Sequence, residues 1–282
     1  MRKYMKYELK GTYRFMLAII LVVLVATSGI QIYTSNMLDQ PSAPGGIFMA
    51  LMGFAVFGAF IASIFYLIGN FRKELYEDRG YLTFTLPLSG NQILGAKAII
   101  ALMWSALLVI SFLVYNILLA RILHGEVIFT VIREGFQYIS SLNLDTALTV
   151  YLIVFIFSVI TTLLLIYFSI ALSRVTIGNK KIGSIWVIVF LVLNSLIGLL
   201  SIKVAELIPF YIDISNFSII TESDFVRNLG NIESHIVGNY PGMAIFTSDM
   251  FALNVGFILF NILVAIGIYM GTSYLIEKKV DL

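Results

Sequence analysis

One stretch of the sequence, Asn70–Lys97, holds the side chains best suited to binding chemistry; it reads NFRKELYEDRGYLTFTLPLSGNQILGAK. Its first part, Arg72–Arg79, is charged and compatible with a helix, and Gly80 can end that helix. Tyr76 and Tyr81 stand among these charges, and aromatic side chains are frequent anchors of protein–protein contacts. The composition predicts a surface for a partner protein. The alternative is a charged helix that only follows the preceding apolar segment.

The second part of this stretch predicts how the chain turns back. Residues 81–86 alternate between apolar and polar side chains, and Pro87 disfavours helical geometry at Leu86. Ser89 followed three residues later by Gln92 is a capping box, which predicts the start of a new helix. A turn of a few residues would have sufficed between two antiparallel helices, so the longer segment indicates a function.

Catalytic chemistry has few residues to use. There is no cysteine, which excludes disulfides, thiolate nucleophiles and Cys-ligated metals. The two histidines, His124 and His235, both fall in predicted loops, and no G-x-S-x-G or H-E-x-x-H run is present. The phosphate-binding run G-x-x-x-x-G-K-[ST] is also missing. The sequence predicts a chain that is not an enzyme and that holds no metal or cofactor of its own.

Six stretches without Asp, Glu, Lys or Arg must position the Asn70–Lys97 segment. They are Phe15–Leu38, Gln40–Phe71, Ala98–Ala120, Thr146–Ser173, Ile182–Ile202 and Met250–Ile276. Each supplies the roughly 20 apolar residues needed to cross a bilayer core of about 30 Å. With 60% hydrophobic residues overall, the chain is predicted to be a polytopic membrane protein.

The predicted fold is all-α, with one transmembrane domain over residues 1–282 and spans at about 15–33, 47–70, 93–120, 147–172, 182–202 and 251–275. Residues 1–14 are predicted to form an amphipathic interfacial helix, with an apolar stripe of Met1, Met5, Leu9 and Tyr13 flanked by cations. Residues 121–145 suit a short amphipathic segment. Residues 203–249 are predicted to form a small folded cap, with a re-entrant piece near Leu207–Ile214.

Charge distribution predicts the orientation. Fourteen of the 18 Lys and Arg residues fall in the N-terminal segment, the 72–97 region, the 174–181 loop and the C-terminal tail. Ten of the 16 acidic residues fall in the other loops, Asp213 among them. Because basic residues favour the cytoplasmic side, both termini and the Asn70–Lys97 segment are predicted to be cytoplasmic. The acidic outer face would favour release of cationic cargo.

Polar residues within the spans are few and uncharged. The lack of charged residues and histidine at mid-span argues against a proton- or ion-coupled pump, which needs a titrating relay in the membrane. Four residues are candidates for lining a translocation path: Phe57, Phe65, Asn194 and Ser195. The alternatives are aromatic rings that face lipid and polar groups that join helices by hydrogen bonds.

Glu74–Lys97 resembles the cytoplasmic loop after the second span in permease subunits of bacterial ABC-2-type transporters. Those loops carry an acidic-tyrosine patch, Gly-Tyr-Leu, an apolar stretch, Leu-Pro and a small residue before a lysine. The six-span layout and the enlarged last outer loop extend the resemblance over the whole chain. Within that family the sequence looks most similar to small permeases of peptide exporters in Gram-positive bacteria, such as the phenol-soluble modulin exporter.

The resemblance implies an export permease of the bacterial cytoplasmic membrane that pairs with a second copy or a related permease. Each permease would engage a separate ABC ATPase subunit, which binds the ATP and Mg²⁺. The segment after the second span would be the coupling helix, seated in a cleft of the ATPase. Its contact surface would comprise Glu74, Leu75, Tyr76, Glu77, Asp78, Arg79, Gly80 and Tyr81.

The cargo implied by the resemblance is an amphipathic peptide or toxin, and nucleic acid is not expected as a partner. Efflux of a hydrophobic antibiotic, of multiple drugs or of lipid is the alternative cargo reading. A membrane scaffold that transports nothing, or a channel, is the rival of a different class. The presence of an ATPase partner separates the transporter from both rivals.

Overall fold

The computed structural model describes residues 2–37, 43–76, 89–125, 127–141, 145–177, 185–214, 218–221, 238–240, 244–246 and 251–278. These ranges contain seven helices: α1 Arg2–Met37, α2 Ala43–Tyr76, α3 Gly90–His124, α4 Val127–Ser141, α5 Asp145–Ile177, α6 Ile185–Leu207 and α7 Val255–Lys278. All except α4 are long and apolar enough to cross a membrane. The six predicted spans are therefore confirmed as six candidate membrane-spanning helices. The chain packs as two units, Met1–Gly135 and Phe136–Asp281.

In the first unit, α1 packs against both α2 and α3. Contacts with α2 run in opposite directions along the two helices: Tyr4 with Glu74, Phe15 with Tyr66, and Tyr33 with Phe48. Contacts between α1 and α3 run in the same direction along the two helices: Glu8 with Lys97, Thr12 with Trp104, and Gln31 with Asn116. Helices α1 and α2 are thus antiparallel, while α1 and α3 are parallel. The buried core between them comprises Met16, Ile19, Ile20, Val23, Ala59, Ile100, Trp104 and Leu108.

The N-terminal segment differs from the predicted separate interfacial helix. Helix α1 is unbroken from Arg2 to Met37. Met5 and Leu9 of the predicted stripe pack, partly buried, against the core, whereas Tyr13 is exposed. The neighbouring Tyr4 and Thr12 are buried. Helices α2 and α3 extend alongside this segment and supply polar partners for it. Its position at the membrane interface stays a prediction.

Two shorter features agree with the sequence. Ser89 caps α3, and its backbone N–H donates a hydrogen bond to Oε1 of Gln92 at 3.4 Å, as the predicted capping box requires. Helix α4 occupies the region predicted to be amphipathic, and its Val127, Val131 and Phe136 side chains are exposed. Each begins where local sequence signals are strong.

In the second unit, α5, α6 and α7 contact one another. Gly271 lets α7 approach α5 closely, because a Cβ atom at this position would lie 3.1 Å from the ring of Phe168. Asn261 of α7 donates a hydrogen bond from Nδ2 to Oγ of Ser201 on α6 at 3.4 Å. The three helices form a bundle with polar as well as apolar contacts.

Between α6 and α7 the described residues include five strands: β1 Phe210–Asp213, β2 Ser218–Thr221, β3 Gly238–Tyr240, β4 Ala244–Phe246 and β5 Phe251–Asn254. They form an antiparallel sheet in the order β2-β1-β5-β4-β3. The sheet was not foreseen, so the all-α prediction holds for the spans and fails for this segment. Strands of three or four residues are too short for a period of two to stand out.

The sheet corrects two boundaries. In place of a re-entrant piece near Leu207–Ile214, α6 ends at Leu207 and β1 follows, because Pro209 cannot continue the helix. The sixth span was predicted from residue 251, but that position belongs to β5 and α7 begins at Val255.

Asp213 is buried, so it does not contribute to an exposed acidic face.

Asn254 joins the two ends of this insertion. Its Oδ1 accepts a hydrogen bond from the backbone N–H of Phe257 at 2.8 Å, which makes it the N-cap of α7. Its Nδ2 donates to the carbonyl oxygens of Ala205 and Ile208 at 3.2 and 3.0 Å, which lie at the end of α6. One fully buried amide thereby satisfies backbone groups at two helix ends.

Candidate functional site

Among the described residues, an ionic group largely shielded from solvent lies at the end of the first unit that carries the N-terminus of α1. Nζ of Lys97 lies 2.6 Å from Oε1 of Glu8 and 3.0 Å from Oε1 of Glu74. The three side chains are 3%, 12% and 14% exposed, respectively. Together with Tyr4 and Asn70 we call them the Lys97 cluster. It joins α1, α2 and α3 at one point.

The remaining members of the Lys97 cluster complete its hydrogen bonding. The amide of Asn70 donates to Oε1 of Glu8, and the hydroxyl of Tyr4 donates to Oε2 of Glu74 at 3.2 Å. Each carboxylate therefore accepts from the ammonium of Lys97 and from one neutral group. This complete hydrogen bonding of both carboxylates matters because a buried charge is tolerated only when it is paired and hydrogen-bonded.

Local sequence explains how the cluster is assembled. Tyr4, Glu8 and Thr12 are four residues apart, so they lie on one face of α1. Glu74 and Asn70 are also four residues apart, near the end of α2. Lys97 lies two turns after the capped start of α3, between Ala96 and Ala98, whose small side chains allow close approach. Two carboxylates thus share a single ammonium group.

Further polar pairs continue from the cluster along α1 and α3. The indole Nε1 of Trp104 donates to Oγ1 of Thr12 at 2.9 Å. Nearer the C-terminal ends of α1 and α3, the hydroxyl groups of Ser28 and Tyr115 form a hydrogen bond. Nε2 of Gln31 donates a hydrogen bond to Oδ1 of Asn116 at 2.7 Å. With Glu8–Lys97, these pairs make a polar ladder between α1 and α3. A displacement of α1 along α3 would break several of these interhelical contacts.

The residues predicted for partner contact fall in three groups. Glu74 is largely enclosed in the Lys97 cluster, with its side chain 14% exposed, and Leu75 is buried at 2% exposure. Tyr76 is the last residue of α2. Glu77, Asp78, Arg79, Gly80 and Tyr81 lie outside the described residues. Glu74 and Leu75 therefore anchor the base of the segment in this chain, and the contact surface itself stays a prediction.

The aromatic path candidates lie on α2. Phe57 and Phe65 are 64% and 61% exposed. Phe57, but not Phe65, lines a pocket of about 430 Å³ in the first unit, together with Gln31 and Asn116. The pocket combines aromatic walls from Phe57, Phe60 and Phe112 with the amides of the polar ladder. It stays a candidate segment of a path.

The polar path candidates lie on α6. Asn194 and Ser195 are both exposed. Asn194, but not Ser195, lines a groove of about 190 Å³ in the second unit. We call it the polar groove, and its polar lining consists of Ser158, Thr161, Thr162, Asn194, Ser201 and Asn261. The structure thus separates two neighbouring residues that the sequence grouped.

Comparisons of the chain with protein-family models, with curated proteins and with solved structures found no match. The site has to be interpreted from its own residues.

The charge distribution assigns Lys97 to the predicted cytoplasmic side but does not pair it with Glu8. One signal was available: Glu8 interrupts a run of cations on α1, and Lys97 stands alone in an apolar stretch. Opposite charges in such surroundings require internal partners. The pairing itself joins residues 89 positions apart, which no local pattern encodes.

Proposed function

We propose that this chain is the membrane-spanning permease subunit of an ATP-driven exporter of the ABC-2 type. It moves amphipathic peptides or toxins out of the cell, and a separate ATPase subunit hydrolyses the ATP. The six candidate spans and the resemblance of Glu74–Lys97 support this function. The observation that carries it is the Lys97 cluster.

The Lys97 cluster gives the predicted coupling segment a rigid base. Glu74 is the first residue of that segment, and it is bonded to Lys97 on α3 and to Tyr4 on α1. A push on the residues after Tyr76 would therefore reach α1 and α3 directly. In a loop without such anchors the same push would be absorbed by backbone motion.

In the proposed cycle, closure of the ATPase subunits displaces the coupling segment and tilts the first two spans against the fifth span. A path opens between the two permeases toward the outside. Titratable groups are scarce at mid-span. This scarcity agrees with energy that comes from ATP hydrolysis at one face of the membrane rather than from an ion gradient.

The test is co-purification of this chain with an ATPase encoded beside it. The wild type is compared with a double variant, Glu77→Arg with Tyr81→Ala, which reverses a charge and removes an aromatic anchor. A matched control, Glu134→Arg with Phe136→Ala, makes the same changes on exposed positions of α4. We expect the wild type and the control to retain the ATPase and the Glu77/Tyr81 variant to lose it.

Two other results would change the proposal. If the Glu77/Tyr81 variant binds and supports ATP hydrolysis as well as the wild type, the coupling segment lies elsewhere. If no ATPase associates with any form, the exporter proposal fails, and a membrane scaffold or channel becomes the better interpretation.

A further inference from the structure

The polar groove lies at mid-depth of the second unit. Asn194 stands nine residues from the start of α6 and 13 from its end, about 14 and 20 Å along the axis. Thr162 is equally central in the 33-residue helix α5. In a span that crosses a hydrocarbon core of about 30 Å, these positions lie far from both headgroup layers.

Part of the groove is already satisfied by its own helices. Nδ2 of Asn261 donates to the carbonyl of Phe257 at 2.8 Å, and Oγ of Ser201 donates to the carbonyl of Ile197 at 2.7 Å. Oγ1 of Thr161 likewise donates to the carbonyl of Ser158 at 3.0 Å. These contacts fix one wall of the groove.

Three groups of the groove are not satisfied. Within the described residues, the amide of Asn194 and the hydroxyls of Ser158 and Thr162 have no hydrogen-bond partner. All three side chains are exposed in the chain. Because the bilayer core offers no water to such groups, leaving them bare is unfavourable. An occupant that both donates and accepts hydrogen bonds would satisfy all three groups.

The lining and the size of the groove restrict the occupant. No charged residue lines it, so a charged head group would find no counter-ion there. Its remaining walls are apolar, with Leu165, Val264 and Ile268 among them. A volume of about 190 Å³ accommodates one small group, since a cavity of about 150 Å³ holds benzene. An α-helix, about 10 Å wide with its side chains, does not fit inside it.

We propose that the polar groove binds the uncharged hydroxyl or amide head of a small single-chain amphiphile that enters from the bilayer. The amide of Asn194 both donates and accepts, while the hydroxyls of Ser158 and Thr162 hold the head from α5. The alkyl chain of the ligand lies along the apolar walls and extends into lipid. Binding needs neither the coupling segment nor an ATPase.

The test is photolabelling of the purified full-length chain in phospholipid nanodiscs. The probe is a long-chain alcohol with a diazirine in its alkyl chain, and the reference probe is the corresponding alkane. Labelled residues are located by peptide mass spectrometry. We expect the alcohol, and not the alkane, to label residues around the groove on α5, α6 and α7.

Matched variants identify the groups that recognise the head. Ser158→Ala and Asn194→Leu remove groove partners, whereas Ser195→Ala alters an exposed serine at the same depth that does not line the groove. Loss of one hydrogen bond is expected to lower labelling at a subsaturating probe concentration about fivefold for each groove variant. Ser195→Ala should label as the wild type does.

Equal labelling of the groove by the alcohol and the alkane would overturn the proposal, because the surface would then be an ordinary lipid-facing one. The proposal would also be overturned if the alcohol probe labelled Ser158→Ala and Asn194→Leu as strongly as it labels the wild type. A third contrary result is an assembly of two copies that Asn194→Leu dissociates and that the alcohol does not label. In that case the occupant is a second copy of the chain. Because the experiment uses this chain alone, its outcome does not depend on the exporter proposal.

Discussion

Lys97 balances two carboxylates, and the consequences of its removal follow from that stoichiometry. Replacing it by Met leaves Glu8 and Glu74 close together without a cation. Removing one partner of a buried ion pair costs about 3–5 kcal/mol, because the remaining charge stays buried. A neutral replacement of the whole group does not carry this cost. The cluster therefore acts as a unit.

We expect Lys97→Met to lower the midpoint of thermal unfolding in detergent by on the order of 10 °C. Adding Glu8→Gln and Glu74→Gln should restore most of the loss. Lys278→Met, at an exposed position near the end of α7, is the control and should change little. If the triple variant unfolds at as low a temperature as Lys97→Met alone, the unpaired carboxylates are not the cause of the loss.

At the scale of elements, the junction of α6 and α7 depends on close backbone approach. A Cβ atom at Gly256 would lie 2.8 Å from Cβ of Ile208 and 3.1 Å from the carbonyl of Val204. Neither neighbour is the end of a flexible side chain, so the helix ends would have to separate. At Gly267, also on α7, a Cβ would meet nothing within 4 Å.

Gly256→Ala is expected to destabilise the second unit by about 1–3 kcal/mol, the usual cost of overpacking. Gly267→Ala is the matched control on the same helix and should be neutral or slightly stabilising, since Ala favours helix. Thermal unfolding in detergent compares the two. Equal stability of both variants would show that the junction yields more easily than its geometry indicates.

Elements differ in how far the sequence predicts them. Long uncharged runs and a capping box are local signals, so the six spans and the start of α3 were predicted closely. The Lys97 cluster could not be predicted in the same way, because it pairs residues 23 to 89 positions apart. The sheet was missed for another reason: its strands are stabilised by pairing between segments, and each is too short to show a pattern of its own.

At the scale of the whole molecule, the orientation of the spans is the main prediction. The charge distribution predicts that the end of α7 is cytoplasmic and that α4 is outside. The chain contains no cysteine, so a single introduced thiol reports its own position without background. Glu134 on α4 and Lys278 on α7 are exposed and suit this purpose.

We expect a membrane-impermeant maleimide to label Glu134→Cys in intact cells and Lys278→Cys only after permeabilisation. A denatured sample of each variant, labelled to completion, is the reference for expression. The reverse pattern would show the opposite orientation and would place the coupling segment on the wrong side for a cytoplasmic ATPase.

The parallel pairing of α1 with α3 has a consequence for synthesis. Glu8 leaves the ribosome long before Lys97, and Glu74 follows it while the cation is still missing. A nascent chain that has completed only α1 and α2 therefore holds two carboxylates that repel each other. Until α3 is made, the cation that balances these two carboxylates in the finished unit is missing. We therefore expect the first two helices to pack less stably in a chain truncated before Lys97 than in the complete unit.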